Sequence, residues 1–131
     1  MRMRYRCPNG HVFNGDENTK VCPECSAALA LENCGAIQLY RMGNMMGMAV
    51  GMGIYIDEVP YGHIGNKESI RIVLPFGDHK IHVTHSTTRN CNDPVITLSA
   101  EAPIAYMKCH LGAMGFKIVV EPANPAEMPP I

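Results

Sequence analysis

The sequence predicts a mainly β protein, an antiparallel β-sandwich of about seven strands behind a small cysteine-bearing N-terminal unit. Three observations carry this. From Ala36 onward, short β-type runs alternate with turn-formers. Tryptophan is absent and only 6% of residues are aromatic, so the core must be aliphatic and methionine-filled. Residues 1–33 hold three of the six cysteines, many turn-formers and few apolar side chains, and a segment below about 40 residues usually needs a staple to fold.

The runs are AIQLYRM (36–42), MAVGMGIYID (48–57), ESIRIVLP (68–75), HKIHVTH (79–85), PVITLS (94–99), PIAYMKC (103–109) and FKIVVE (116–121). Alternation places Met48, Val50, Met52, Ile54 and Ile56 on one face of their strand and Ile70, Ile72 and Leu74 on one face of theirs, with Ser69, Arg71 and Lys80 projecting oppositely. Turns are expected at Asp57-Glu58, at Pro75 to Asp78 and at Ala100 to Ala102, the last closing a hairpin of 95–99 on 103–109. Ser26 to Leu31 reads as a short helical turn. The tail after Glu121 is proline-rich and is expected to be extended or disordered. The expected organisation is therefore a unit over 1–33, a sandwich over 36–121 and a tail over 122–131.

The strongest motif is Cys7-Pro8-Asn9-Gly10-His11, ten intervening residues, then Cys22-Pro23-Glu24-Cys25. Each half is a tight turn that points two ligand side chains into one space. Proline follows the first cysteine of each half, and Gly10 can take the positive φ that returns His11 toward Cys7. Three thiolates and an imidazole suit tetrahedral Zn²⁺, and a site filled by four protein ligands is structural rather than catalytic. One ion per chain is expected. A redox Cys22-x-x-Cys25 pair would belong to a βαβ unit that is missing, and a rubredoxin-like iron would prefer four thiolates.

CPNGHVFNGDENTKVCPEC resembles the short N-terminal zinc ribbons of many bacterial proteins, which open on a CPNGH knuckle and close on CPxC. The likeness covers about 20 residues and includes the Asn14-Gly15-Asp16 turn; Ser26 stands where glycine is common. It implies a zinc ribbon with Cys7, His11, Cys22 and Cys25 as ligands. IYIDEVPYGHIGNKESIRIVLPFGDHKIHV is similar to the hairpin core of PEGA-like domains, with Asp57-Glu58 in place of Asp-Gly and Pro75-Phe76-Gly77 in place of Pro-Pro-Gly. That resemblance implies a non-enzymatic, surface-presenting module.

Other clusters carry less. His79 and His85 share the side of Ile81 and Val83 on a strand while His82 faces away, so three-histidine ligation is not expected, and surface or sheet-edge histidines are. Met42, Met45, Met46, Met48 and Met52 could recruit Cu(I), contact a partner from a loop, or fill the core, which is the expectation. Cys91 and Cys109 flank the expected 95–99/103–109 hairpin and form a candidate thiol pair, whereas Cys34 stands alone. Arg2, Arg4 and Arg6 with Tyr5 could pair with phosphates and stack on a base.

With 11 Lys and Arg against 12 Asp and Glu, the formal charge is −1, unlike that of a protein built to neutralise phosphates. Six cysteines in 131 residues are too few for a disulfide scaffold, where they would exceed about 8–10%. The start lacks the apolar stretch of a secretory signal, and the apolar window 45–56 is shorter than the ~18 residues a bilayer span requires. A cytoplasmic, non-membrane protein is expected. No catalytic grammar is visible, so the expectation is a non-enzymatic zinc-binding protein that serves as an interaction or scaffold module, with nucleic-acid binding and thiol or metal sensing as alternatives. Its partner is expected to be another protein of unknown identity, and self-association stays open.

Overall fold

Alternating apolar residues need a second apolar layer to cover them, and the chain supplies it by building two sheets. The computed structural model describes residues 2–43, 51–86, 88–112 and 117–128. Among these residues there are ten strands: β1 (Met3–Arg6), β2 (Val12–Gly15), β3 (Cys34–Arg41), β4 (Met52–Ile56), β5 (Val59–Ile64), β6 (Ser69–Pro75), β7 (Gly77–His85), β8 (Val95–Leu98), β9 (Ile104–Leu111) and β10 (Ile118–Pro122). One sheet has the order β10-β9-β3-β6-β1-β2 and the other β5-β4-β7-β8. Ile37, Leu39, Ile70 and Ile72 of the first meet Ile54, Ile56, Ile81 and Val83 of the second in one buried cluster. Each such side chain contributes roughly 1.5–3 kcal/mol on burial, against about 0.5–1.5 kcal/mol for an ordinary hydrogen bond. Apolar burial therefore holds the layers together. The mainly β, sandwich-like architecture is the one expected, and each of the seven runs forms a strand.

An eighth sandwich strand, β5, lies where the sequence shows no clean alternation. Pro60 and Gly62 interrupt it, which an edge strand tolerates because one side of its backbone needs no partner. It forms because Asp57 and Glu58 both take positive φ, 54° and 69°, as a two-residue hairpin turn demands. Asp57 tolerates this conformation and is held in it: one carboxylate oxygen accepts the Lys80 N–H at 2.9 Å and the other meets His79 Nδ1 at 2.7 Å.

Two of the eight strand pairings are parallel, β1 with β6 and β3 with β9. The expected hairpin of 95–99 on 103–109 does not form: β8 pairs with β7, while β9 enters the other sheet beside β3. The Ser99–Ala102 turn carries the chain across the sandwich, and Ala36 N–H then captures the Pro103 carbonyl at 2.8 Å. Gly35 makes that approach feasible, since a Cβ there would lie 2.1 Å from the same oxygen.

The N-terminal unit is bonded to both sheets. β1 extends the first through Met3↔Arg71 and Arg4↔Ile72. The buried Arg4 then reaches across to β5, donating from Nη1 to the carbonyls of Tyr61 at 2.9 Å and His63 at 2.8 Å and from Nε to Asn14 at 2.8 Å. At the other end, β10 runs one residue past Glu121 and leads into a 3₁₀ turn, Pro125–Glu127, closed by a reciprocal Asn124–Glu127 capping box. The first part of the tail is thus regular. Met42 is half-buried and Met52 is in the core, whereas Met45, Met46 and Met48 lie outside the described residues, as does Val50.

Gly35→Ala is expected to lower stability by about 1–3 kcal/mol, because backbone rather than a movable side chain blocks the added methyl. Urea denaturation of the two proteins checks this, and equal midpoints would refute the close approach.

Candidate metal centre

The knuckles at the start of the chain are built by backbone hydrogen bonds that oblige their side chains to converge. Gly10 N–H donates to the Cys7 carbonyl and Cys7 N–H to the His11 carbonyl, both at 2.9 Å, with Gly10 at φ 89°. β1 and β2 leave this turn as a hairpin registered from Arg6↔Val12 to Met3↔Gly15. In the second knuckle Ser26 N–H donates to the Cys22 carbonyl at 2.8 Å, and Ser26 itself sits at φ 60°. That left-handed residue turns the chain back, so 27–29 run antiparallel to 20–22 through a Val21↔Ala28 bridge. The expected helical turn over Ser26 to Leu31 is therefore absent, replaced by extended chain. A positive φ is a conformation that glycine adopts without strain.

Cys7, His11, Cys22 and Cys25 each offer one ligand atom, all within 4.8 Å of one another. The Cys7 and Cys25 sulfurs are 3.8 Å apart, and His11 Nδ1 lies 3.4 Å from Cys7 Sγ and 3.7 Å from Cys22 Sγ. Metal–sulfur bonds near 2.3 Å and metal–nitrogen bonds near 2.0 Å at tetrahedral angles would put two sulfurs about 3.8 Å apart and sulfur and nitrogen about 3.5 Å apart. The four side chains are thus already spaced as ligands of one tetrahedral ion. No disulfide competes, since all six cysteines are free thiols.

Surrounding donors favour the ionised sulfurs. His11 N–H points at Cys7 Sγ at 3.3 Å, Glu24 N–H at Cys22 Sγ at 3.4 Å, and the Asn9 side-chain amide at Cys25 Sγ at 3.3 Å. The Asn9 amide, helped by the Ala27 backbone and His11, holds the Cys25 thiol down at about 6. Burial is the largest influence on Cys7 and opposes ionisation, but the N–H groups of His11 and Asn9 overcome it and lower its pKa. At Cys22 burial prevails and raises the pKa. The sulfurs of Cys25 and Cys7 in turn raise that of His11. His11 Nε2, on the far side of the ring, faces Glu24 Oε2 at 3.5 Å, the arrangement by which a carboxylate orients a metal-bound imidazole.

The remaining candidates lie outside that cluster, with Cys91 and Cys109 close enough to interact electrostatically but not bonded. Cys34 is half-buried, donates to the Ala30 carbonyl at 3.3 Å and lies outside the cluster. Cys109 is buried on β9, where desolvation pushes its thiol up to about 12; Cys91 is half-buried, bridged to Ile118 beside β10. His79 and His85 point inward with Ile81 and Val83 and His82 points away, as strand alternation requires. The inward pair is buried rather than on the surface, and His79 is locked between Asp57 and the Pro75 carbonyl, each 2.7 Å away. Arg4 and Tyr5 are also buried, Tyr5 stacking on Phe13, and Arg2 pairs with Glu68. Sequence reasoning missed a second convergence, of His82, Cys91 and Asp93; no regular spacing signals it.

The molecule is thus a β-sandwich carrying a Cys₃His cluster able to hold a metal ion. No protein-family model, curated protein or solved structure matches the chain. Among the described residues no helix is long and apolar enough to cross a membrane.

Ser26→Gly is expected to retain the ion and to add about 1 kcal/mol of stability by removing the left-handed strain. Ser26→Val, β-branched at φ 60°, is expected to weaken metal binding. Competition with a chromogenic chelator ranks the three proteins; equal affinities would show that the turn does not position Cys25.

Proposed function

We propose that the protein is a non-enzymatic zinc protein in which one structural Zn²⁺, bound by Cys7, His11, Cys22 and Cys25, fixes an N-terminal ribbon onto a β-sandwich that acts as a protein-interaction or scaffold module. The match between the three ligand-atom separations and tetrahedral N/S coordination carries the metal assignment. Three thiolates and one imidazole suit zinc better than harder ions, and with four protein ligands the ion has no position left for reactive water. The resemblance of the CPNGH…CPEC segment to bacterial zinc ribbons supports the same reading.

The interaction reading is supported by the edge of the smaller sheet. It ends on β8, a four-residue strand with no further strand beyond it among the described residues, and Val95 there is 63% exposed. Such an edge offers backbone hydrogen bonds and an apolar side chain to an added strand. Nucleic-acid binding is less favoured, because Arg4 spends its donors on Asn14, Tyr61 and His63.

Protein purified without chelator is expected to contain about one zinc per chain, lost in Cys22→Ser with unfolding of residues 1–33. Elemental analysis with amide exchange checks this; an intact, metal-free ribbon would refute it. For the interaction, Val95→Lys is expected to abolish capture of a partner, or of a second copy, while leaving zinc content unchanged. Capture undiminished in that variant would remove β8 as the contact.

A further inference from the structure

A second set of ligand-type side chains gathers on the four-stranded sheet. His82 stands on β7, on the face opposite Ile81 and Val83, while Cys91 and Asp93 come from the segment joining β7 to β8. That segment turns at Ser86, φ 52°, and runs back along β7, where the Ile81 N–H donates to the Pro94 carbonyl at 2.9 Å. One ligand atom from each of the three side chains lies within 4.8 Å of the other two. All three are half-buried and reachable from solvent.

Burial is the largest influence on the Cys91 thiol and raises its pKa, while the backbone of Asp93 and Val83 acts the other way. The same sulfur also faces the Asp93 carboxylate, so two groups that would each carry a negative charge converge beside the His82 imidazole. A doubly charged cation neutralises a thiolate and a carboxylate together. A cavity of about 330 Å³ lined by Tyr55, Glu58, Lys80, His82 and Asp93 opens onto the cluster. It gives an ion a path and leaves room for water as a further ligand.

We propose that His82, Cys91 and Asp93 form a second, exchangeable site for a divalent transition metal, with an open coordination position facing this cavity. One nitrogen, one sulfur and one oxygen donor select borderline ions such as Zn²⁺, Co²⁺ or Ni²⁺ over Mg²⁺ and Ca²⁺. Loading releases the Cys91 thiol proton to solvent, displaces the proton held between His82 Nδ1 and Asp93 Oδ1 to Nε2 by exchange with solvent, and inserts the ion between His82 and Asp93. Their hydrogen bond, 2.6 Å from Nδ1 to Oδ1, then opens to about 3.3 Å, a separation set by metal–ligand bonds near 2.0 Å. Rotation of the half-exposed Asp93 side chain is enough. With three protein ligands instead of four, this ion exchanges faster than the one in the ribbon. The proposal does not rest on the ribbon's ion.

The test is titration of the zinc-loaded protein with Co²⁺, reading thiolate-to-cobalt charge-transfer absorption together with the zinc retained after desalting. A second, saturable equivalent is expected while zinc stays at one per chain, undisturbed by excess Mg²⁺ or Ca²⁺. Cys91→Ser should abolish the new band. Asp93→Asn, which keeps a residue suited to the positive φ of 49°, should weaken binding by more than about tenfold, the least loss expected when a group supporting a metal is removed. Cys22→Ser removes the ribbon's ligand set, and the second band should persist in it. Absence of thiolate-to-cobalt absorption beyond the ribbon's own, or a band undiminished in Cys91→Ser, overturns the proposal.

Discussion

Convergence of four ligand-type side chains on one point is the constraint on which the N-terminal quarter depends. Residues 2–33 bury few apolar side chains, chiefly Tyr5, Cys7 and Cys22, two of which are themselves ligands. Backbone turns at Gly10 and Ser26 aim those ligands, and N–H···S bonds stabilise the sulfurs as anions, leaving mutual repulsion for a cation to remove. The same convergence sets the β1–β2 hairpin, and β1 then lies along β6 and sends Arg4 to the β5 carbonyls. The Cys₃His cluster is thereby linked to both sheets through a single strand.

The sandwich has a different source of stability. Its aliphatic layer is buried between its own two sheets, but its margins rely on specific polar arrangements. Asp57 and His79 fasten the β4–β5 turn to β7, and Asn92 brackets β10 by donating to and accepting from Val120, each at 2.8 Å. These contacts tie the ends of strands whose middles are held by Ile, Leu and Val. Burial holds the layers; polar contacts set which loops lie where, and so place His82 and Asp93 beside a cavity.

The candidate metal site, encoded by short spacing, was legible in the sequence: Cys7 to His11 and Cys22 to Cys25 are each one turn, and each turn forms. The strands of the sandwich were legible wherever apolar residues alternate, as on β6 and β7. β5 was not, because Pro60 and Gly62 break the pattern and the strand exists by virtue of the turn before it. Strand partners were not legible either. The parallel pairing of β3 with β9 depends on Gly35 meeting Pro103 across 68 positions of chain, and local periodicity carries no such information. The His82, Cys91 and Asp93 cluster escaped notice for the same reason: its members meet only after the left-handed turns at Ser86 and Asp93 fold the loop back.

Binding of one tetrahedral ion by the four knuckle side chains is tested most directly by X-ray absorption at the zinc edge, on protein loaded with one equivalent. Three sulfur neighbours near 2.3 Å and one nitrogen near 2.0 Å are expected. A shell dominated by oxygen, or a coordination number of five or six, would contradict a closed Cys₃His site.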